Sequence, residues 1–125
     1  MIKEAYVSFE VAKLLKEKGF NEPCRSYYTD YEDYIDFSYC NDELTDLQMG
    51  VWETLRPTHQ MAMKWLREKS VIIVIQPEYF NIESKCSTWG VDIWADDNYE
   101  KLQGDYPKYE EAVEAALKYV LENLI

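Results

Sequence analysis

Glycine, histidine and cysteine are all scarce in this chain of 125 residues, and each scarcity closes off a kind of chemistry. The four glycines, Gly19, Gly50, Gly90 and Gly104, stand far apart, so no glycine-rich loop can cradle a phosphate. Three cysteines, Cys24, Cys40 and Cys86, form no CxxC pair. An odd number at such spacings reads as reduced, partly buried thiols rather than a disulfide framework. His59 is the only histidine. A zinc site would need it to converge with all three cysteines, whereas structural zinc sites use closely spaced ligand pairs. A cysteine nucleophile would need a base and an orienting group placed beside it, and no spacing here supplies them. His59 therefore reads as a surface or capping residue. No apolar run is long enough to cross a bilayer, and the N-terminus MIKEAYVSFE lacks the apolar core of a signal peptide. The expected location is the cytoplasm.

Positive charge is missing from one long stretch. Residues 26–55 carry eight carboxylates and no lysine or arginine, within a chain of net charge −11. Residues 56–75 are positive by three and residues 76–125 negative by seven. A surface of this sign repels phosphate backbones and anionic lipid, so neither direct nucleic-acid binding nor membrane adsorption is expected.

Hydrophobic patterning defines an α+β domain. Ser8 is placed to cap a first helix whose stripe is Val11, Leu14 and Leu15, with Gly19 and Phe20 to close it. A second helix starts at Thr58 and buries Met61, Ala62, Trp65 and Leu66. It runs straight into Val71–Ile75, a β-branched run that suits a central strand covered on both faces and ended by Pro77. Residues 78–86 read as a turn. Ser87–Trp94 follows as a second strand, paired antiparallel with the first, and Tyr99–Gln103 as a short edge strand after a turn at 95–98. A third helix over residues 109–124 has a continuous apolar face: Tyr109, Ala112, Val113, Ala116, Leu117, Val120, Leu121 and Leu124. Residues 31–39 could form a strand with Tyr31, Ile35, Phe37 and Tyr39 on one face and Asp33 breaking the pattern. Asn41-Asp42 signals a turn, and residues 44–55 suit either a helix or a short strand. The expected architecture is one domain over residues 1–125, a mostly antiparallel sheet of three to four strands packed against two or three helices.

Three segments carry a resemblance: AKLLKEKGFNEPCRSYY, RPTHQMAMKWLREK and YEEAVEAALKYVLENL. Together they resemble a family of small proteins, without an assigned activity, carried by bacteriophages and prophages of gut bacteria. The middle segment is the most specific. The match covers somewhat under half of the chain and does not extend to residues 29–55. It implies a phage or prophage context and a cytoplasmic location in the host cell. It implies no activity, cofactor or catalytic residue.

What remains is the composition itself. Carboxylates abound, notably Asp30, Glu32, Asp33, Asp36, Asp42, Glu43 and Asp46, then Asp92, Asp96 and Asp97, but none follows the spacing of a calcium loop. They suit solvated acidic faces better than a paired-carboxylate hydrolase or a metal site. Helix–strands–helix order resembles double-stranded-RNA-binding domains, yet Glu110 and Glu111 stand where those domains present lysines. Trp65 and Trp89 belong in a core. Trp52, Trp94 and several tyrosines exceed what so small a domain can bury. Exposed tyrosine among carboxylates suits a protein-binding surface, and the same residues could simply cover a sheet edge. The leading expectation is a non-enzymatic accessory protein that needs no cofactor or metal and binds another protein, a basic one, with self-association left open. Its candidate surface is Tyr27, Tyr28, Tyr31, Asp33, Tyr34, Asp36 and Tyr39. The alternatives are an acidic DNA mimic that inhibits a host defence or DNA-binding protein, and an enzyme of undetermined type.

Overall fold

A computed structural model describes residues 2–81, 83 and 86–125, excepting the side chains of residues 79–81, 86 and 87. The elements run in the order α1 (Phe9–Glu17), β1 (Cys24–Tyr31), β2 (Tyr34–Leu44), a short 3-10 turn (Asp46–Gln48), β3 (Glu53–Leu55), α2 (His59–Glu68), β4 (Val71–Asn81), β5 (Cys86–Ala95), β6 (Asn98–Lys101) and α3 (Tyr109–Asn123). This is an α+β fold whose strand pairs are all antiparallel. The strands divide between two sheets of three, ordered β2-β1-β3 and β4-β5-β6. The chain correspondingly forms two compact units, residues 1–61 and 62–125. Among the described residues no helix is long and apolar enough to cross a membrane.

In the first unit, α1 begins where Ser8 Oγ accepts the Val11 N–H at 3.2 Å. It ends in a Schellman-type closure: the Phe20 N–H reaches the Leu15 carbonyl and the Gly19 N–H that of Lys16. Gly19 sits at φ +92°, a conformation that a side chain would strain. Val7, Val11, Ala12, Leu15, Phe20 and Cys24 form the core beside β1, and α1 packs on β3. Asn41-Asp42 makes no turn. β2 runs through it to Leu44, with the register shifting between Cys24 and Ser26 on β1. The ambiguous residues 44–55 hold the 3-10 turn and β3, and no longer helix.

Thr58 caps α2 as its sequence position requires, accepting the Met61 N–H at 3.1 Å. His59, expected as a surface or capping residue, is buried at the start of α2, and its backbone N–H donates to the Ala5 carbonyl at 2.9 Å.

In the second unit, α3 lies on β5 and β4. Ala112, Val113, Ala116, Leu117, Val120 and Leu121 are wholly buried, together with Val91 and Ile93 of β5. β5 is the central strand. β4, expected in the middle, is an edge strand, and Ile72 and Val74 remain 47% and 38% exposed on its outer face. Pro77 does not end β4 either. It lies beside a register shift between Pro77 and Tyr79, and pairing resumes to Asn81. Proline is tolerated there because an edge strand at a bulge can lack an N–H without losing a ladder bond.

Candidate functional site: an acidic aromatic hairpin

The acidic segment folds as the β1–β2 hairpin with β3 alongside. Its tip is the two-residue turn Glu32-Asp33, with φ of +48° and +65°. Two successive left-handed residues are the geometry of a type I′ turn, whose twist matches that of the flanking strands. Tyr31 therefore opposes Tyr34, Thr29 opposes Asp36, Tyr28 opposes Phe37 and Ser26 opposes Tyr39. Opposed residues share a face, so Ile35, Phe37 and Tyr39 line the same side as Tyr28 and Ser26. Tyr34, Asp36 and Ser38 line the other.

Arg56 organises the first of these faces. Its guanidinium carbon lies 3.9 Å from the centre of the Phe37 ring and 4.1 Å from that of Tyr6. Tyr28 and Tyr39 follow at 5.4 and 5.5 Å. Nη1 donates to Ser26 Oγ at 3.1 Å, and the backbone N–H of Arg56 donates to the Ser26 carbonyl. Nε is buried without a hydrogen-bond partner. Ring faces carry the negative part of the aromatic quadrupole, so they supply a weak acceptor for that N–H and a favourable site for the charge. Desolvation pulls the guanidinium pKa down, but the hydroxyls of Tyr39 and Tyr28 more than offset it, and the net shift is upward. The Tyr6 hydroxyl is also pushed up, by burial first and then by Tyr39 and Glu4.

The sequence-predicted surface residues separate into three groups. Tyr28 is a correction. It is only 9% exposed, its hydroxyl donates to the Val7 carbonyl and its ring packs edge-on against Phe9, so it belongs to the core and is out of a partner's reach. Tyr27 is half-buried. The remaining five are exposed: Asp33 in the turn, Tyr34 and Asp36 on one face of β2, Tyr39 on the other, and Tyr31 at the end of β1, edge-on to Trp52 at 5.6 Å. Asp36 accepts the N–H of Phe37 at 2.8 Å. Tyr31, Tyr34, Ile35, Phe37 and Tyr39 of the hairpin, and Trp52 just before β3, are each between 44% and 68% exposed, spread over both faces of the hairpin. Reading the site as a tyrosine cluster missed Ile35, Phe37, Tyr6 and Arg56. The alternation over positions 35, 37 and 39 was a usable signal for the first two. Nothing in the sequence ties Tyr6 or Arg56 to them.

Protein-family models, curated proteins and solved structures contain no match to this chain. The site is therefore read from its own geometry.

Elsewhere among the described residues, the carboxylates Asp92 and Glu78 are already engaged. Asp92 is buried on β5, and both its oxygens are taken: Gln76 Nε2 donates to one and the Tyr99 hydroxyl to the other, at 2.5 Å. That bond, ahead of burial, raises the Tyr99 pKa. Lys101 pairs with Glu78 at 2.6 Å, and Glu78 lies across Gly90 where a Cβ would collide with it. A carboxylate so fully engaged is not free to act as a base. Asp96 and Asp97 lie exposed in the turn before β6. Among the described residues no three or more His, Cys, Asp or Glu side chains are grouped to hold a metal ion. A cavity of about 260 Å³ lies between α1 and the Val51–Thr54 segment, lined by Phe9, Lys13, Asp30 and Trp52, and one of about 210 Å³ lies beside Arg56 and Cys24. Both fall below the roughly 300 Å³ usual for small-molecule sites.

Cys24 is buried, donates to the Glu22 carbonyl at 3.3 Å, and has its pKa pushed up to about 12 by burial first, then by Glu22 and Glu43. The neutral thiol is the form the fold favours. Its contribution to stability is complete below the ordinary value near 9 and disappears as pH rises through about 12. Alkylation at pH 8 followed by peptide mapping should label half-buried Cys40 well before Cys24, and Cys24 should react only after unfolding. Equal native rates at the two sites would contradict the burial described. The side chain of Cys86 lies outside the described residues.

Proposed function

We propose that this protein is a non-enzymatic accessory protein that binds another protein through the β1–β2 hairpin, and that the surface it meets is basic. One observation carries the reading. The hairpin exposes four large aromatic side chains and Ile35, with Trp52 packed beside Tyr31, in the stretch of the chain that has eight carboxylates and no positive charge. Aromatic anchors supply most of the energy of a protein interface, and surrounding charges steer the encounter. A domain that needed only to fold gains nothing from charge of one sign, because self-repulsion mildly destabilises it. A phage or prophage context and a cytoplasmic location belong to the same reading and rest on the three resembling segments.

Replacing Tyr31 and Tyr34 together by Ala should leave the thermal melt nearly unchanged, since both side chains are exposed, and should abolish capture of a partner from a lysate of the cell that carries the gene. Replacing Asp33 and Asp36 by Asn should mainly slow association, and mainly at low salt, where exposed charges act over a longer range. If both double variants retain the same captured proteins as the unaltered chain, with the same salt dependence, the hairpin is not the binding surface.

A further inference from the structure

Two three-stranded sheets have four edges, and three of them are protected. β3 is three residues long and β6 four, the latter carrying Glu100 and Lys101. β4 is long but is interrupted by Pro77 and the adjoining register shift. β2 is different. It contains no proline, lysine or arginine in its 11 residues, and its own register shift, opposite Cys24–Ser26, lies beyond the regular stretch Tyr34–Tyr39 next to the turn. Long unprotected edges are ready templates for another strand, and proteins that do not use them normally blunt them.

The register shows which backbone groups are free. A two-residue turn closes on a hydrogen-bonded pair, here Tyr31 and Tyr34, and such pairs alternate along the ladder. Tyr34, Asp36 and Ser38 thus bond inward to β1, while the N–H and C=O groups of Ile35, Phe37 and Tyr39 point out from the sheet. Two hydrogen bonds agree with this phase: Asp30, opposite Ile35, sends its N–H away from β2 to the Trp52 carbonyl, and the Phe37 N–H is taken by the Asp36 carboxylate. That carboxylate is a removable cap on an otherwise open edge.

We infer that β2 receives an extended, antiparallel segment of the partner as a fourth strand, and that the segment alternates apolar with basic residues. The inference rests on the binding role given to the hairpin and specifies its mode. An added strand would place alternate side chains against Ile35, Phe37 and Tyr39 on one face, and against Tyr34 and Asp36 on the other. The first row is apolar and aromatic. The second, at the end nearest Glu32 and Asp33, is acidic, and no cation of residues 26–55 neutralises it. A second copy of this chain fits poorly, because pairing β2 with itself sets Asp36, Asp42 and Glu43 against an equally acidic strand. Single-stranded nucleic acid is repelled by the same charges.

The test uses the intact protein and a fluorescent, end-capped peptide of about ten residues alternating valine and lysine, its binding followed by anisotropy. In an antiparallel added strand whose valines face Ile35, Phe37 and Tyr39, the valine N–H groups point at β2 and the lysine N–H groups point away. N-methylation of the valines should weaken binding at least about tenfold, while N-methylation of the lysines should leave it within about threefold. A valine–glutamate peptide should not bind. On the protein, Ile35→Pro should block the edge without removing a ladder bond to β1, and should bind at least about tenfold more weakly than Ile35→Ala, which loses the same apolar side chain but keeps the outward N–H. Absence of binding by the valine–lysine peptide overturns the inference, as do equal binding by the valine–glutamate peptide and indifference to valine N-methylation. Indifference to N-methylation combined with loss of binding in the Tyr31→Ala, Tyr34→Ala variant would remove the added strand and leave the hairpin as a side-chain docking surface. If that variant and the unaltered chain also capture the same cell proteins, the binding role itself fails.

Discussion

Leu117→Asp should remove a large part of the second unit's stability. Leu117 sits mid-way along α3, is wholly buried, and is flanked by Val113, Ala116, Val120 and Leu121, which are buried equally completely. The helix packs on β5 and β4, and the buried residues that flank Leu117 along it are apolar and offer no partner to a carboxylate. A carboxylate there must either be ionised in an apolar environment or be protonated against its ordinary pKa, and the leucine volume is lost as well. The combined penalty is on the order of 4 kcal/mol or more. Small domains have only about 5–15 kcal/mol in all. Urea unfolding followed by circular dichroism should show the midpoint collapse, with exposed Lys118→Ala as a control that moves it by less than about 0.5 kcal/mol. A Leu117→Asp protein that melts within a degree or two of the original would mean that α3 is not packed as described.

The helices were readable because their signals are local. Ser8 and Thr58 cap, Gly19 terminates, and the apolar stripes of α1, α2 and α3 lie within one or two turns of each other, so each element declares itself without reference to the rest of the chain. Strand positions were less legible because burial of a strand is decided by its neighbours. Val71–Ile75 is a continuous β-branched run, which suits a central strand equally well as an edge whose outer face is open. Only the pairing, β5 between β4 and β6, distinguishes the two. The strand expected over residues 31–39 puts Ile35, Phe37 and Tyr39 on one face, as observed, and misplaces only Tyr31, for a different reason. Type I′ turns usually announce themselves through Asn-Gly or Asp-Gly, and here Glu32 and Asp33 adopt positive φ without that composition. The alternation then appeared to start at Tyr31 and to stumble at Asp33, when in fact it restarts at Tyr34.

Solvent exposure within the tyrosine cluster was legible only in aggregate. Composition indicated that some of Tyr27, Tyr28, Tyr31, Tyr34 and Tyr39 must remain outside, but Tyr28 goes inside because its position opposite Phe37 brings its hydroxyl to Val7 and its ring to Phe9. The aromatic box around Arg56 was not legible at all. It joins Tyr6, Tyr28, Phe37 and Tyr39, drawn from the N-terminal segment and both strands of the hairpin, to a residue just after β3.

That box gives the second large effect. Arg56→Ala should destabilise the first unit by about 2 kcal/mol, the scale of a partly desolvated cation–π contact together with a hydrogen bond to Ser26. The loss should be concentrated in the hairpin, because Phe37 and Tyr39 on β2 have Arg56 as the packing that draws them towards Tyr6. Hydrogen exchange should therefore accelerate at the inward-bonded amides of β2 more than in α1. Two further substitutions separate charge from shape. Arg56→Lys keeps the charge but loses the flat surface that stacks between Phe37 and Tyr6, so it should recover only part of the stability. Arg56→Met keeps length and polarisable bulk without charge, and contacts between sulfur and aromatic rings should recover a part of their own. If Met matches Arg in urea midpoint while Lys behaves like Ala, the box is held by packing rather than by the cation. If Ala itself unfolds at the original midpoint, within about 0.5 kcal/mol, the four rings do not depend on Arg56, and the ordered aromatic face offered by the hairpin must be set by the β1–β2 ladder alone.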